Sequence, residues 1–104
     1  MRPAGEQARA LAAGATTARG LLEACLERIE RRNPSIGAFW HVDAHGARAE
    51  ADRSDGRRQA GRALSPFDGL TLAVKDNIDV AGLPCTGGLA AFRERIAQQD
   101  APVV

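Results

Sequence analysis

An α/β fold is predicted for this 104-residue chain: helices over about residues 1–60, then the first strands of a layered sheet, over about 68–88, that the chain does not complete. Two observations carry that prediction. Leu21, Leu22, Cys25, Leu26 and Ile29 recur at offsets that line one face of a helix. Leu70-Thr71-Leu72-Ala73-Val74, by contrast, is a short run with apolar residues on both faces, as in an inner strand covered on both sides.

In order along the chain, residues 6–13 alternate small apolar and charged side chains and suit a short helix stopped by Gly14. Thr17 stands where an N-cap belongs, and the apolar stripe after it predicts a helix over 18–32. Its other face places acids early and arginines late, as the helix dipole prefers. Asn33-Pro34 is expected to end it, because proline disfavours helical backbone at the residue before it. Residues 36–42, Ile-Gly-Ala-Phe-Trp-His-Val, read as a strand, and residues 44–60 as a surface helix whose stripe is mainly alanine. Residues 61–67 are a loop, and Asp68-Gly69 a turn directly before the run at 70–74. A further short strand is expected at Ile78-Asp79-Val80, a glycine loop at 85–88 and a helix starting at Leu89 and running to about Gln99. The helical part is expected to pack on a sheet that begins near residue 70.

Composition excludes several classes. Fourteen basic residues against thirteen acidic ones leave no basic stripe for a phosphate backbone, so no nucleic-acid partner is expected. No apolar stretch approaches the roughly 20 residues of a membrane helix, and Glu6 and Arg9 interrupt any signal-peptide core, which makes a cytoplasmic setting the expectation. Cys25 and Cys85 are too few and too far apart for a zinc or disulfide framework; Cys25 reads as a buried helix residue and Cys85 as a loop thiol.

Lys75 is the single lysine among those fourteen basic residues, the other thirteen being arginine. A chain that uses arginine wherever a permanent charge suffices, and keeps one lysine at the end of an apolar strand, marks that amine as a candidate general base, since lysine can give up its proton and arginine cannot. A lone lysine on an exposed turn beside Asp76 is the alternative. Asp76 is read as capping the turn or bonding backbone amides, Asn77 as a turn residue, and Asp79 as too isolated from His41 and His45 to hold a metal. Ser35, Ser54 and Ser65 lie in contexts without a nucleophile elbow. Thr86-Gly87-Gly88 could cradle an anion through its backbone amides, but two glycines without a following basic residue fall short of a phosphate loop, and the segment reads as a conformationally free loop beside the site.

The segment from Pro66 to Gly88, with Ala73-Val74-Lys75-Asp76-Asn77 at its centre, resembles the signature segment of the amidase-signature family, and Leu22 to Phe39 resembles that family's first long helix and the strand after it. Phe67, Asp68, Thr71 and Gly20 depart from residues common in the family, and none of them is the lysine. The resemblance implies hydrolysis of a carbon–nitrogen amide bond by a Ser/cis-Ser/Lys triad, with Lys75 matching the lysine and both serines carried by a downstream segment that is not in this chain. It also implies a layered α/β/α sheet, no cofactor and no metal, and a small-molecule amide as substrate of the complete enzyme, with a homodimer left open. Two other readings stand beside it: a non-catalytic fragment or assembly module, and part of the triad-bearing subunit of a transfer-RNA-dependent amidotransferase. With one triad member of three, the chain alone is expected to hydrolyse no amide; turnover above blank that disappears in Lys75→Ala would contradict this.

Overall fold

The computed structural model describes residues Arg2 to Val104, which fall into two compact units, residues up to Thr71 and Leu72–Val104. The first is helical. Helix α1 (Ala4–Ala12) buries Ala8 and Leu11, and beyond its end the Ala15 N–H reaches back to the Ala10 carbonyl at 2.9 Å. Helix α2 (Ala18–Ile36) begins at the expected cap, where Thr17 Oγ1 accepts from Gly20 N at 2.9 Å. Helix α3 (Ala44–Gln59) is capped in the same way by Asp43, which accepts from Gly46 N at 2.9 Å.

Helices α2 and α3 pack as an antiparallel pair, and charge fixes their register. Asp55 of α3 takes the N–H groups of Ala18 and Arg19 at 2.7 and 3.0 Å, satisfying donors that open the first turn of α2. One and two turns further, Arg19 bonds Asp52, and Arg48 grips Glu23 with two nitrogens at 2.8 Å each. Arg48 and Arg19 together hold the Glu23 carboxyl down at about 2. Inside this charged frame Leu11, Ala18, Leu22 and Ala51 form the core, with Leu21, Leu26, Ala47 and Leu70 packed against it.

The loop after α3 is pinned to that helix. Arg57 donates to both oxygens of Asp68, at 2.9 and 2.6 Å, Leu64 N adds a third bond to the same carboxylate, and Arg58 donates to the Asp68 carbonyl. Gly69 follows with φ +97, and a Cβ there would stand 2.8 Å from Ser54 Oγ and 2.9 Å from Ala18 Cβ. Both the backbone angle and the close approach demand glycine. The Asp68-Gly69 turn expected from sequence is therefore in place, held by an arginine 11 residues upstream that a reading of near neighbours could not pair with it.

Three expectations are corrected. Helix α2 does not stop at Asn33-Pro34 but runs to Ile36 with Pro34 inside its last turn. Gly37 closes it instead, in the left-handed conformation at φ 65, with its N–H on the Asn33 carbonyl, while the Asn33 amide both accepts from and donates to the Phe39 backbone. The cost of a proline near a helix end is one missing donor, which these contacts offset. Residues 36–42 are consequently no strand: Ile36 belongs to the helix and Trp40 lies exposed, its ring tilted against His41.

Neither residues 70–74 nor 78–80 form a strand, and no strand occurs among the described residues; Pro84 and Ile96 make an isolated antiparallel bridge. Apolar character predisposes a segment to a sheet but cannot form one without a neighbour, and Leu72 is left 90% exposed. Of the helix expected over 89–99 only a single 3-10 turn remains, Ala90–Phe92. Residues 95–97 are used otherwise, pairing with 82–85 through Cys85 N to Arg95 O, Ala97 N to Leu83 O and Gly82 N to Ala97 O. Cys25 is half-buried, and it is Cys85 that is buried. No helix among the described residues is long and apolar enough to cross a membrane.

Leu22→Ala is expected to cost about 2–5 kcal/mol of stability in urea unfolding, whereas Leu72→Ala stays within about 0.5 kcal/mol. The Asp68 pair adds a pH dependence. Arg57 holds the Asp68 carboxyl well below the usual carboxylate range, with the Leu64 N–H helping and burial opposing. A depressed folded value stabilises above the ordinary value near pH 4 and ceases to do so as pH falls through the folded value. Asp68→Asn should therefore lower the melting temperature at pH 7, and the gap should narrow as both proteins are melted at falling pH below 4; a gap that widens there contradicts the account.

Candidate active-site segment around Lys75

Lys75 sits in the second unit, exposed, directly after the apolar run at 70–74, and its carbonyl accepts from Ile78 N at 3.0 Å to close a turn over 75–78. No helix or ladder shapes this stretch. Its form comes from side chains that bind backbone groups. Asp76 Oδ1 accepts from Thr86 N at 2.8 Å and Oδ2 from the Thr86 hydroxyl, with Gly88 N at a longer 3.4 Å. The Asp76 carbonyl accepts from Gly87 N at 2.7 Å and faces the Cys85 thiol at 3.7 Å. The expectation that Asp76 bonds backbone amides agrees with this.

The glycine loop is therefore not free. Gly87 and Gly88 both take positive φ, 60 and 74, which turns their N–H groups toward Asp76. In effect Thr86-Gly87-Gly88 cradles a carboxylate from its own chain. Thr86 and Cys85 are buried at 7% and 6% exposure and, with Ala97, are the buried residues of the unit, while Gly87 and Gly88 are exposed.

A second carboxylate organises the far side. Asp79 pairs with Arg95 through both guanidinium nitrogens, at 2.7 and 2.9 Å, and Arg95 also donates to the Cys85 carbonyl at 3.0 Å. Arg95 holds the Asp79 carboxyl well below its ordinary value, and the Asp79 carboxylate, with burial, pushes the Cys85 thiol up. The Asp79 carbonyl accepts from Ala101 N, and Asp100 accepts from Ala81 N at 2.8 Å, so residues 95–101 are tied back to 79–85. Asn77, Asp79, Cys85, Phe92, Arg95 and Val103 help line an open cavity of about 490 Å3. Sequence did not single out Arg95, because the chain's preference for arginine over lysine leaves it looking like twelve others.

His41, His45, Ser35 and Ser54 all lie in the first unit, and Ser65 in its final loop, so none of them belongs to the segment that carries Lys75. Ser54 is buried against Gly69, a packing role.

The sequence profile of the Amidase family matches residues 20–104. This chain belongs to the amidase family. Among its relatives, a glutamyl-tRNA(Gln) amidotransferase subunit from Chloroflexus aurantiacus is 51% identical over 87 residues, 81% of this chain and 18% of that protein. A Mycobacterium bovis protein provisionally named amidase AmiB2 is 45% identical over 101 residues, 97% of this chain and 21% of its own length. Among solved structures, a chain from a vestigial protein complex that reveals the evolutionary origins of an s-triazine catabolic enzyme superposes with a TM-score of 0.86 at 37% identity, covering 92% of this chain and 21% of that one. The chain thus spans about a fifth of the length of the relatives it matches.

The Cys85 environment gives a direct test of this geometry. In a Cys25→Ser background Cys85 is expected to react with a disulfide reagent more slowly than a free thiol at the same pH, and Asp79→Asn should shift its reactivity toward lower pH by removing the carboxylate that disfavours the thiolate. A profile unmoved by Asp79→Asn would show that the carboxylate does not act on the thiol.

Proposed function

We propose that residues 1–104 are the N-terminal part of a single amidase domain, and that the complete enzyme, in a cytoplasmic setting, hydrolyses the carbon–nitrogen bond of a small amide with Lys75 as its base. The observation that carries this reading is the position of the chain's one lysine, within Ala73-Val74-Lys75-Asp76-Asn77 and inside the region matched to the Amidase family. In this reading Lys75 in its neutral form takes a proton from a bridging serine, which in turn activates a nucleophilic serine, and both serines come from polypeptide outside these residues. A lysine suits the task because its amine, unlike a guanidinium, can give up a proton and take one back.

The same reading explains the apolar run at 70–74. It forms neither helix nor strand, with Leu72 and Val74 exposed, and we take it as an inner strand of a layered α/β/α sheet whose neighbours come from the rest of the domain. A second reading, in which the whole protein is the corresponding subunit of an amidotransferase, is favoured by the 51% identity to the Chloroflexus aurantiacus protein. Both readings use Lys75 alike.

The test replaces the matching fifth of Mycobacterium bovis AmiB2 with this chain and follows hydrolysis of a simple aryl amide. Lys75→Ala is expected to lower kcat by about 10²–10⁴-fold, and Lys75→Arg should not restore it, since a guanidinium stays protonated. Activity retained in Lys75→Ala would remove Lys75 from the mechanism.

A further inference from the structure

We propose that Asp76 is a positioning residue for Lys75, acting through the loop at Cys85 to Gly88; the inference rests on the reading of Lys75 as the base and goes beyond it. The two residues are adjacent, so what holds the backbone of one limits the other. The Lys75 carbonyl is engaged by Ile78 N, and the Asp76 carbonyl by Gly87 N and the Cys85 thiol. With both carbonyls bound, the peptide planes on either side of Asp76 are fixed, and so is the direction in which Lys75 leaves the chain on its C-terminal side. The Asp76 carboxylate completes the hold by gathering Thr86 N, the Thr86 hydroxyl and Gly88 N onto two oxygens.

This arrangement has the features of a device that sets geometry. Charge-assisted bonds to backbone N–H are the stronger kind, and they converge on Thr86, which is among the most buried residues of its unit. On the N-terminal side no comparable contact occurs among the described residues: Leu72 is 90% exposed and Val74 47%. The lysine is therefore anchored from one side only, through Asp76. A catalytic amine must be held to within a fraction of an ångström and some tens of degrees to take a proton from a neighbour, and in these residues Asp76 restrains the backbone from which that amine projects.

The chain's single lysine makes this measurable without activity, because lysine-selective isotope labelling gives one backbone signal and one side-chain signal. In the 104-residue chain the Lys75 amide is expected to show an order parameter near the rigid value of about 0.85, falling below about 0.6 in Asp76→Ala, with loss of the Lys75 secondary chemical shift. Thr86→Val, which removes only the hydroxyl, should move the Lys75 signals in the same direction, and Thr86→Ser should restore them. This second pair keeps the test decisive should Asp76→Ala disrupt residues 72–104 altogether. Lys75 signals that stay put in Thr86→Val while the Thr86 and Gly88 amides move would overturn the proposal, since the loop would then have loosened without reaching the lysine. In the AmiB2 chimera Thr86→Val should lower kcat several-fold with KM little changed. The proposal fails on the Lys75 signals, whereas the reading of Lys75 as base fails on activity that survives Lys75→Ala, so the two failures are distinct.

Discussion

Five hydrogen bonds converge on Asp76, three on its carboxylate and two on its carbonyl, and in a stretch with neither helix nor ladder they supply the restraint that regular structure supplies elsewhere. Backbone donors left without a partner are costly wherever water is excluded. Residues 85–88 meet that requirement by folding around a side chain. Asp79 does the same for residues 95–101 through Arg95, and the two carboxylates together give residues 72–104 a defined form although Cys85, Thr86 and Ala97 are the residues buried there. Several large apolar side chains of this unit, Leu72, Val74, Leu89, Phe92 and Ile96 among them, remain exposed, and Ile78, Val80 and Leu83 are only half-buried. Polar contacts hold what a hydrophobic core would otherwise hold.

The first unit obeys a different balance. Its core is small, built from leucine and alanine, and its helices are registered by a ladder of carboxylates and guanidiniums along the α2 and α3 seam. Most of these pairs are near solvent and contribute modestly one by one, but each excludes a slipped register, because a shift by one turn would set Arg48 and Glu23 apart and take Asp55 away from the Ala18 and Arg19 N–H groups. Leu70 packs on the same core, and Arg57 with Asp68 fixes the turn before it.

How much of this the sequence disclosed depends on how local each feature is. The three helices were legible because a stripe at helical spacing, Thr17 as a cap and the alanine-rich run from Ala44 are statements about near neighbours. The end of α2 was misread because the proline penalty is local too, and it is outweighed by Gly37 and by the Asn33 contacts with Phe39, six residues on. The strands were expected from apolar runs and from the family resemblance, and a strand is a relation between segments; among the described residues 70–74 has no strand partner. Lys75 stood out through composition, as the one lysine among arginines. Thr86 and Arg95 did not, since their importance lies in reaching Asp76 and Asp79 across ten and sixteen positions, a pairing that no periodicity announces.

Family membership, the lone lysine and the carboxylate-bound loop beside it meet in one claim: that Lys75 is held ready to exchange a proton with a serine supplied by further polypeptide. The most direct measurement is an experimental structure of this chain joined to a serine-bearing remainder of an amidase. The account predicts that residues 70–74 pair within a sheet and that Lys75 Nζ lies within about 3.2 Å of a serine oxygen. A lysine left in solvent, with no serine within reach, would contradict it.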